Sequence, residues 1–164
     1  MTVEEFADVA RVFAQTSVSA ERNRLYAMKA EKAGNAGTAK LLDAVAASES
    51  VQARRMLMHL RGKIGEIDDD LLATLAEAKR AGFSRDLPEV ARALEGAGRK
   101  TAAEAFEQFA QVAEIHHRLL TGLTDYATGP AYYVCGVCGH LAVDEPPEKC
   151  PVCGAVQKRF ERRG

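Results

Sequence analysis

Residues 132–154 read YYVCGVCGHLAVDEPPEKCPVCG, and this stretch contains all four cysteines of the 164-residue chain. The cysteines form two CxxCG motifs, Cys135 with Cys138 and Cys150 with Cys153. A CxxC motif brings two thiolates to one ion, and a glycine after the second cysteine permits the positive φ of a tight turn, which points backbone N–H groups at the sulfurs. The pattern predicts one closed metal site with four sulfur ligands. Disulfides are the weaker interpretation, because they belong mainly to secreted proteins.

The residue types alone do not identify the metal. A tetrahedral set of four thiolates suits both zinc and iron. With zinc the segment would be a structural ribbon, whereas with iron it would cycle between two oxidation states and carry one electron. In either case a short, loop-rich segment of this kind builds no core of its own and depends on the metal for its fold.

The sequence before the cysteines is rich in Ala, Leu, Glu, Lys and Arg, and it predicts four helices separated by glycines. Capping boxes are expected at Thr2 with Glu5 and at Thr101 with Glu104. The third helix should be broken or kinked between Gly82 and Pro88. The four helices are expected at residues 2–33, at 38–60, from the acidic start at 68–70 to about 95, and from 101 to about 122. Their short connections favour an antiparallel four-helix bundle.

Three segments follow from this pattern: a helical bundle at 1–122, a linker at 123–130 and a four-cysteine domain at 131–164. The chain has 22 basic and 23 acidic residues and a net charge of −1, which argues against a nucleic-acid or membrane-surface partner. It has no apolar run approaching the roughly 20 residues that span a bilayer. Its first residues carry acids where a secretory signal would carry bases, so a cytoplasmic protein is expected.

Several motifs resemble the rubrerythrin family. Near the C-terminus they are Tyr133-Val134-Cys135, the two CxxCG motifs and Phe160; in the helical part they are SAERNRLY at 19–26, Leu87-Pro88-Glu89, Gly98, Phe106, Gln108, Val112 and His116. The resemblance extends over essentially the whole chain. It implies a ferritin-like four-helix bundle with a C-terminal rubredoxin-like domain, iron at the four cysteines, a homodimer and a redox partner protein.

The resemblance also implies a di-iron site in the bundle that reduces peroxide, and here the sequence departs from the family. The family pattern is a glutamate on the first helix, ExxH on the second, ExxE on the third and ExxH on the fourth. Of these ligands the chain keeps only Glu49 and His116. The matching positions carry Val18, Glu49 with Gln52, Lys79 with Gly82, and Ala113 with His116. A di-iron centre is therefore not expected, and the metal content should be one iron per chain, with zinc as the alternative.

Glu49, Gln52 and His116 lie on apolar seams of three-four spacing, so they are expected to be buried and hydrogen-bonded to one another. The alternative is an altered metal site that also recruits Glu21 and either Glu114 or His117. Taken alone, His117 is expected to face solvent or a dimer partner.

Three functions follow from these readings. The first is an electron-transfer protein with an iron–thiolate centre and no bundle metal, for which no catalytic residue is assigned. The second is a peroxide reductase with an altered bundle site. The third is a helical interaction scaffold stabilised by zinc.

Overall fold

The computed structural model describes residues 2–61, 69–123 and 129–163, so most of the expected linker, at 124–128, lies outside the described residues. The chain divides into two compact units, residues 1–65 and residues 66–164. The helices are α1 (Val3–Lys32), α2 (Ala36–Arg61), α3 (Asp69–Ala81), α4 (Leu87–Gly96) and α5 (Lys100–Thr121), and the strands are β1 (Tyr132–Cys135), β2 (Leu141–Val143) and β3 (Phe160–Arg163).

The first unit is a helical hairpin of α1 and α2. The expected capping box begins α1: the Glu5 N–H donates to Thr2 Oγ1 at 3.2 Å, and the Thr2 N–H donates to Glu5 Oε2 at 2.7 Å. Gly34, with φ +77°, ends the helix in a conformation that favours glycine. The two helices pack through buried alanines at seven-residue intervals, Ala20 and Ala27 on α1 and Ala46 and Ala53 on α2. Small side chains at these positions let the helices approach closely.

The second unit begins with α3, and the predicted kink is confirmed as a π-helical turn at Gly82–Asp86. The Leu87 N–H donates to the Gly82 carbonyl, five residues earlier. Pro88 follows at once, and a proline ring inside an α-helix collides with the carbonyl four residues before it. The wider turn relieves that collision, and α4 then continues the chain.

A tight turn at Gly98, with φ +73°, connects α4 to α5. The expected capping box at Thr101 and Glu104 is wrong. The N-cap of α5 is Arg99, which makes no side-chain capping hydrogen bond. The turn is held by backbone bonds instead, because the Arg99 N–H donates to the Leu94 carbonyl at 2.9 Å. This closure places the start of α5 two residues earlier than the Thr101 motif indicates.

The C-terminal part of the second unit is a three-stranded antiparallel sheet in the order β2-β1-β3. In the central strand β1, Tyr133 pairs with Ala142 on one side and with Arg162 on the other. The strand ends at Cys135, which is paired with Phe160 of β3. Cys135, the first of the four cysteines, therefore lies at the end of the central strand, which is hydrogen-bonded on both sides.

The expected fold class is confirmed: the chain is mainly helical and ends in a small sheet that carries four clustered cysteines. All four expected helical segments are present, the third one divided by the π-helical turn. Among the described residues, no helix is long and apolar enough to cross a bilayer.

Candidate metal centre

The two CxxCG motifs fold into equivalent hairpin loops, here called knuckles. In the first, the Gly139 N–H donates to the Cys135 carbonyl at 2.9 Å, and the Cys135 N–H donates to the His140 carbonyl at 2.9 Å. The second repeats both bonds, from the Gly154 N–H to the Cys150 carbonyl at 2.9 Å and from the Cys150 N–H to the Ala155 carbonyl at 2.7 Å. The two copies of the CxxCG motif therefore have the same pattern of backbone hydrogen bonds.

Each knuckle needs the glycine that follows its second cysteine. Gly139 has φ +83° and Gly154 has φ +72°, in the left-handed region that side-chain-bearing residues adopt only at a cost. This confirms the role that the sequence predicted for the two glycines. The turn directs the backbone N–H groups beyond it towards the sulfurs.

The four sulfur atoms lie together, all within 4.8 Å of one another. Cys135 Sγ is 3.8 Å from Cys153 Sγ, and Cys138 Sγ is 3.6 Å from Cys150 Sγ. A disulfide would bring two sulfurs to about 2.05 Å, so these are free thiols. With metal–sulfur bonds of about 2.3 Å, the edge of a tetrahedron is about 3.8 Å. The observed distances therefore fit one ion with tetrahedral coordination. Each of the two close sulfur pairs contains one cysteine from each knuckle, as an ion shared by both knuckles requires.

Backbone N–H groups surround the sulfurs. Burial acts to raise the pKa of Cys135, but N–H groups of Cys138 and Val137 point at its sulfur and hold its pKa below the ordinary value. Burial raises the pKa of the Cys138 and Cys153 thiols, although the N–H groups of His140 and Ala155 point at them. Buried thiols that must lose protons favour a divalent or trivalent cation, which stabilises several thiolates at once.

Helix α5 contributes to the environment of the cysteines. Val112 packs in one buried cluster with Cys135, Cys138 and Cys150. One turn later on α5, burial and the charge of Lys79 lower the pKa of His116, while the nearby backbone of Gly139 in the first knuckle acts to raise it. The motifs of the sequence indicated the four cysteines but not this support from α5, because no local pattern connects residue 112 or 116 to residue 139.

His140 is a further residue that the sequence analysis missed. It is 8% exposed, its Nδ1 has no hydrogen-bond partner, and its ring lies edge-on to Phe160 with centroids 6.1 Å apart. Burial lowers its pKa, so the ring is held neutral. His140 therefore packs as an aromatic side chain next to the first knuckle.

The polar residues Glu49, Gln52 and His116 each have an environment within their own unit. The Glu49 carboxylate accepts hydrogen bonds from Ser19 Oγ at 2.8 Å and Asn23 Nδ2 at 2.9 Å, both on α1. Gln52 is exposed, and His116 lies near the backbone of Gly139 in the first knuckle.

The other candidate ligands also have partners or exposure within their own units. Glu21 is exposed and forms an ion pair with Arg24, and Glu114 is exposed on α5. His117 does not face solvent as expected: its Nδ1 lies 2.9 Å from the Ala76 carbonyl of α3. Within each unit, the described residues contain no group of three or more metal-ligating side chains apart from the four cysteines.

The contacts of Glu49 lead to a stability prediction. We expect Glu49→Leu to lower the free energy of unfolding by about 1–2 kcal/mol, because it leaves the Ser19 hydroxyl and the Asn23 amide without their acceptor. Gln52→Leu, an exposed site on the same helix, is the control and should change stability by less than about 0.5 kcal/mol. Urea unfolding followed by circular dichroism measures both. Equal effects of the two substitutions would contradict the assigned partners.

The fold and the site define a class: a predominantly helical protein with a C-terminal, rubredoxin-type module of four thiolates. Comparison with known proteins agrees with this class. The family model described as "Rubrerythrin, rubredoxin-like domain" matches residues 133–161. Rubrerythrin-2 of Clostridium acetobutylicum is 31% identical over 68 residues, which are 38% of this chain and 37% of that protein. The chain therefore aligns with little more than a third of this relative's length.

Solved structures of nigerythrin are also similar to the chain. The structures in the mixed-valence state and in the fully reduced, all-ferrous state each have a TM-score of 0.49 and 18% identity, with 96% of this chain and 86% of theirs covered. Residues 133–161 thus match the rubredoxin-like domain of rubrerythrins, and a 68-residue part of the chain is similar to Rubrerythrin-2.

Proposed function

We propose that this protein is a one-electron carrier whose iron is held by Cys135, Cys138, Cys150 and Cys153. The observation that carries the proposal is the cluster of four free thiols, whose sulfur atoms all lie within 4.8 Å of one another. Bound iron would supply a one-electron couple between its ferrous and ferric states. The match of residues 133–161 to a rubredoxin-like domain favours iron over zinc.

The chain's own residues suit the site for electron transfer rather than for substrate chemistry. Four thiolates complete a tetrahedron and leave no position for a substrate. Cys135, Cys138 and Cys150 are buried, whereas Cys153 is partly exposed. Electrons would therefore enter or leave most directly on the Cys153 side, where a redox partner protein can approach. This partner and the homodimer implied by the family resemblance stay predictions, as does the cytoplasmic location.

We further propose that the helical part holds no di-iron centre. Val18 is 55% exposed on α1, Gly82 lies in the π-helical turn, and Ala113 is buried without any ligating atom. Lys79 is near enough to His116 for its charge to act on the imidazole. Together with burial, this charge lowers the pKa of His116, and it opposes binding of a cation in the same place.

Metal analysis and a visible spectrum test the proposal. The full chain, purified without oxygen and then oxidised by air, should contain one iron per chain and absorb strongly in the visible, as ferric thiolates do. A colourless protein with one zinc per chain would overturn electron transfer and support the scaffold alternative. About three metal ions per chain would instead support the peroxide-reducing alternative.

A further inference from the structure

The segments that form the two knuckles carry positive charges and no carboxylate. Residues 133–143 and 149–159 together contain three cations, Lys149, Lys158 and Arg159, and neither an aspartate nor a glutamate. All three cations are exposed, and within residues 2–61, 69–123 and 129–163 none of them forms an ion pair. Arg163 of β3, by contrast, is paired with Glu161 at 2.8 Å. The knuckles are therefore locally basic, although the whole chain has a net charge of −1.

Backbone contacts bring these cations together next to both knuckles. Lys149 and Val156 lie opposite each other in an antiparallel bridge, so their side chains leave the same face of the second knuckle. The Arg159 N–H donates to the Val156 carbonyl at 2.9 Å, and the Gly136 N–H of the first knuckle donates to the Arg159 carbonyl at 2.8 Å. Lys158 lies in the same 3₁₀ turn as Arg159.

Two exposed valines lie next to these cations. Val137, between the two cysteines of the first knuckle, is 53% exposed, and Val156 is 45% exposed. Val156 is three residues after Cys153, the partly exposed cysteine. The surface formed by the two valines and the three cations is here called the basic patch. Apolar residues with charged residues around them are typical of protein interfaces, and those of electron-transfer proteins are small.

We propose that the basic patch is the docking surface for a redox protein that presents acidic residues around its own centre. This inference rests on the proposed one-electron function of the site. Opposite charges attract two proteins over about 10 Å at 0.1 M salt and favour one orientation of approach. The carboxylates of such a partner would supply the counter-charges for the three cations, and the valines would form the apolar contact.

The cations could instead serve only to offset the negative charge of the four-thiolate centre, which would change its reduction potential. Oxidants of opposite charge separate the two roles. The reduced, iron-loaded full chain is mixed with ferricyanide, a trianion, or with tris(phenanthroline)cobalt(III), a trication. In each reaction the ferrous centre loses one electron and the oxidant gains it, and no proton or ligand is transferred. A changed potential alters both rates in the same direction, whereas a changed surface charge alters them in opposite directions.

The test variant combines Lys158→Gln with Arg159→Gln. At low ionic strength we expect the rate with ferricyanide to fall about three- to tenfold and the rate with the cobalt complex to rise by a similar factor. High salt should reduce both effects. The matched control combines Arg99→Gln with Lys100→Gln, which removes the same charge from exposed residues at the start of α5. Lys100 lies about 18 Å along the helix from Val112, so the control should change either rate by less than about twofold.

A second readout does not depend on iron. When hexaglutamate is titrated into the zinc-loaded full chain, the amide resonances of Gly136, Lys149 and Lys158 should shift, and the charge variant should lose these shifts. If they occur while the iron form shows no reversible one-electron couple, the patch stands as a surface that binds acidic partners and the proposed function fails. If iron cycles reversibly but the charge variant leaves both oxidation rates unchanged, or changes them in the same direction, the inference is overturned.

Discussion

Replacing Cys138 with serine is expected to abolish metal binding and unfold the sheet and knuckles of residues 131–163, while α1 to α4 stay helical. The apolar material around the site is small: the core cluster consists of Val112 and three cysteines, with Val152, Cys153, Ala155 and Phe160 against it. Metal binding supplies folding free energy on the order of 10 kcal/mol to modules of this kind.

Far-ultraviolet circular dichroism and hydrogen exchange measure this outcome, the first reporting the helices and the second the module. Val137→Ser is the matched control, since residue 137 lies between the two cysteines of the first knuckle and its side chain is 53% exposed. The control should retain metal and the protected amides of β1. A Cys138→Ser protein without metal but with a fully protected module would refute the dependence of the fold on the metal.

The reduced protein is expected to react slowly with hydrogen peroxide and to show no catalytic turnover. Cleaving the O–O bond to form two waters takes two electrons and two protons. The four-thiolate centre supplies one electron per chain and leaves no open coordination position. The four helical positions at which the family's di-iron pattern has a carboxylate that this chain lacks are occupied by residues without ligand atoms for a cation, or by a positive charge. They are Val18, Lys79, Gly82 and Ala113.

Stopped-flow reoxidation under excess peroxide measures this rate, with metal content determined on the same samples. The control is the Cys138→Ser chain supplied with an artificial reductant, which bypasses the four-thiolate centre. Rapid turnover in that variant would place the chemistry in the helical part. Glu21, Glu49, Glu114 and His116 would then be the first residues to mutate.

The local sequence was sufficient to predict the main helices and the four cysteine ligands of the metal site. The Thr2 capping box, the glycine that ends α1, the break before Pro88 and the left-handed glycines of both knuckles all arise from interactions within about five residues. The four cysteines need only their spacing, because each CxxC pair is formed by its own turn and the ion joins the pairs. Such features are readable in the sequence because the atoms that decide them are neighbours along the chain.

The tertiary structure decided which partners the isolated polar groups have. Periodicity placed Glu49 and His116 on similar seams, yet Glu49 is bound by Ser19 and Asn23, whereas His116 lies near Gly139 of the first knuckle. The N-cap at Arg99 likewise depends on how the chain turns after α4. Three-four spacing of apolar residues predicts that a side chain faces a neighbouring element, but it does not identify that element. That choice depends on the packing of whole helices and of the module, where many small contact energies add over residues far apart in sequence.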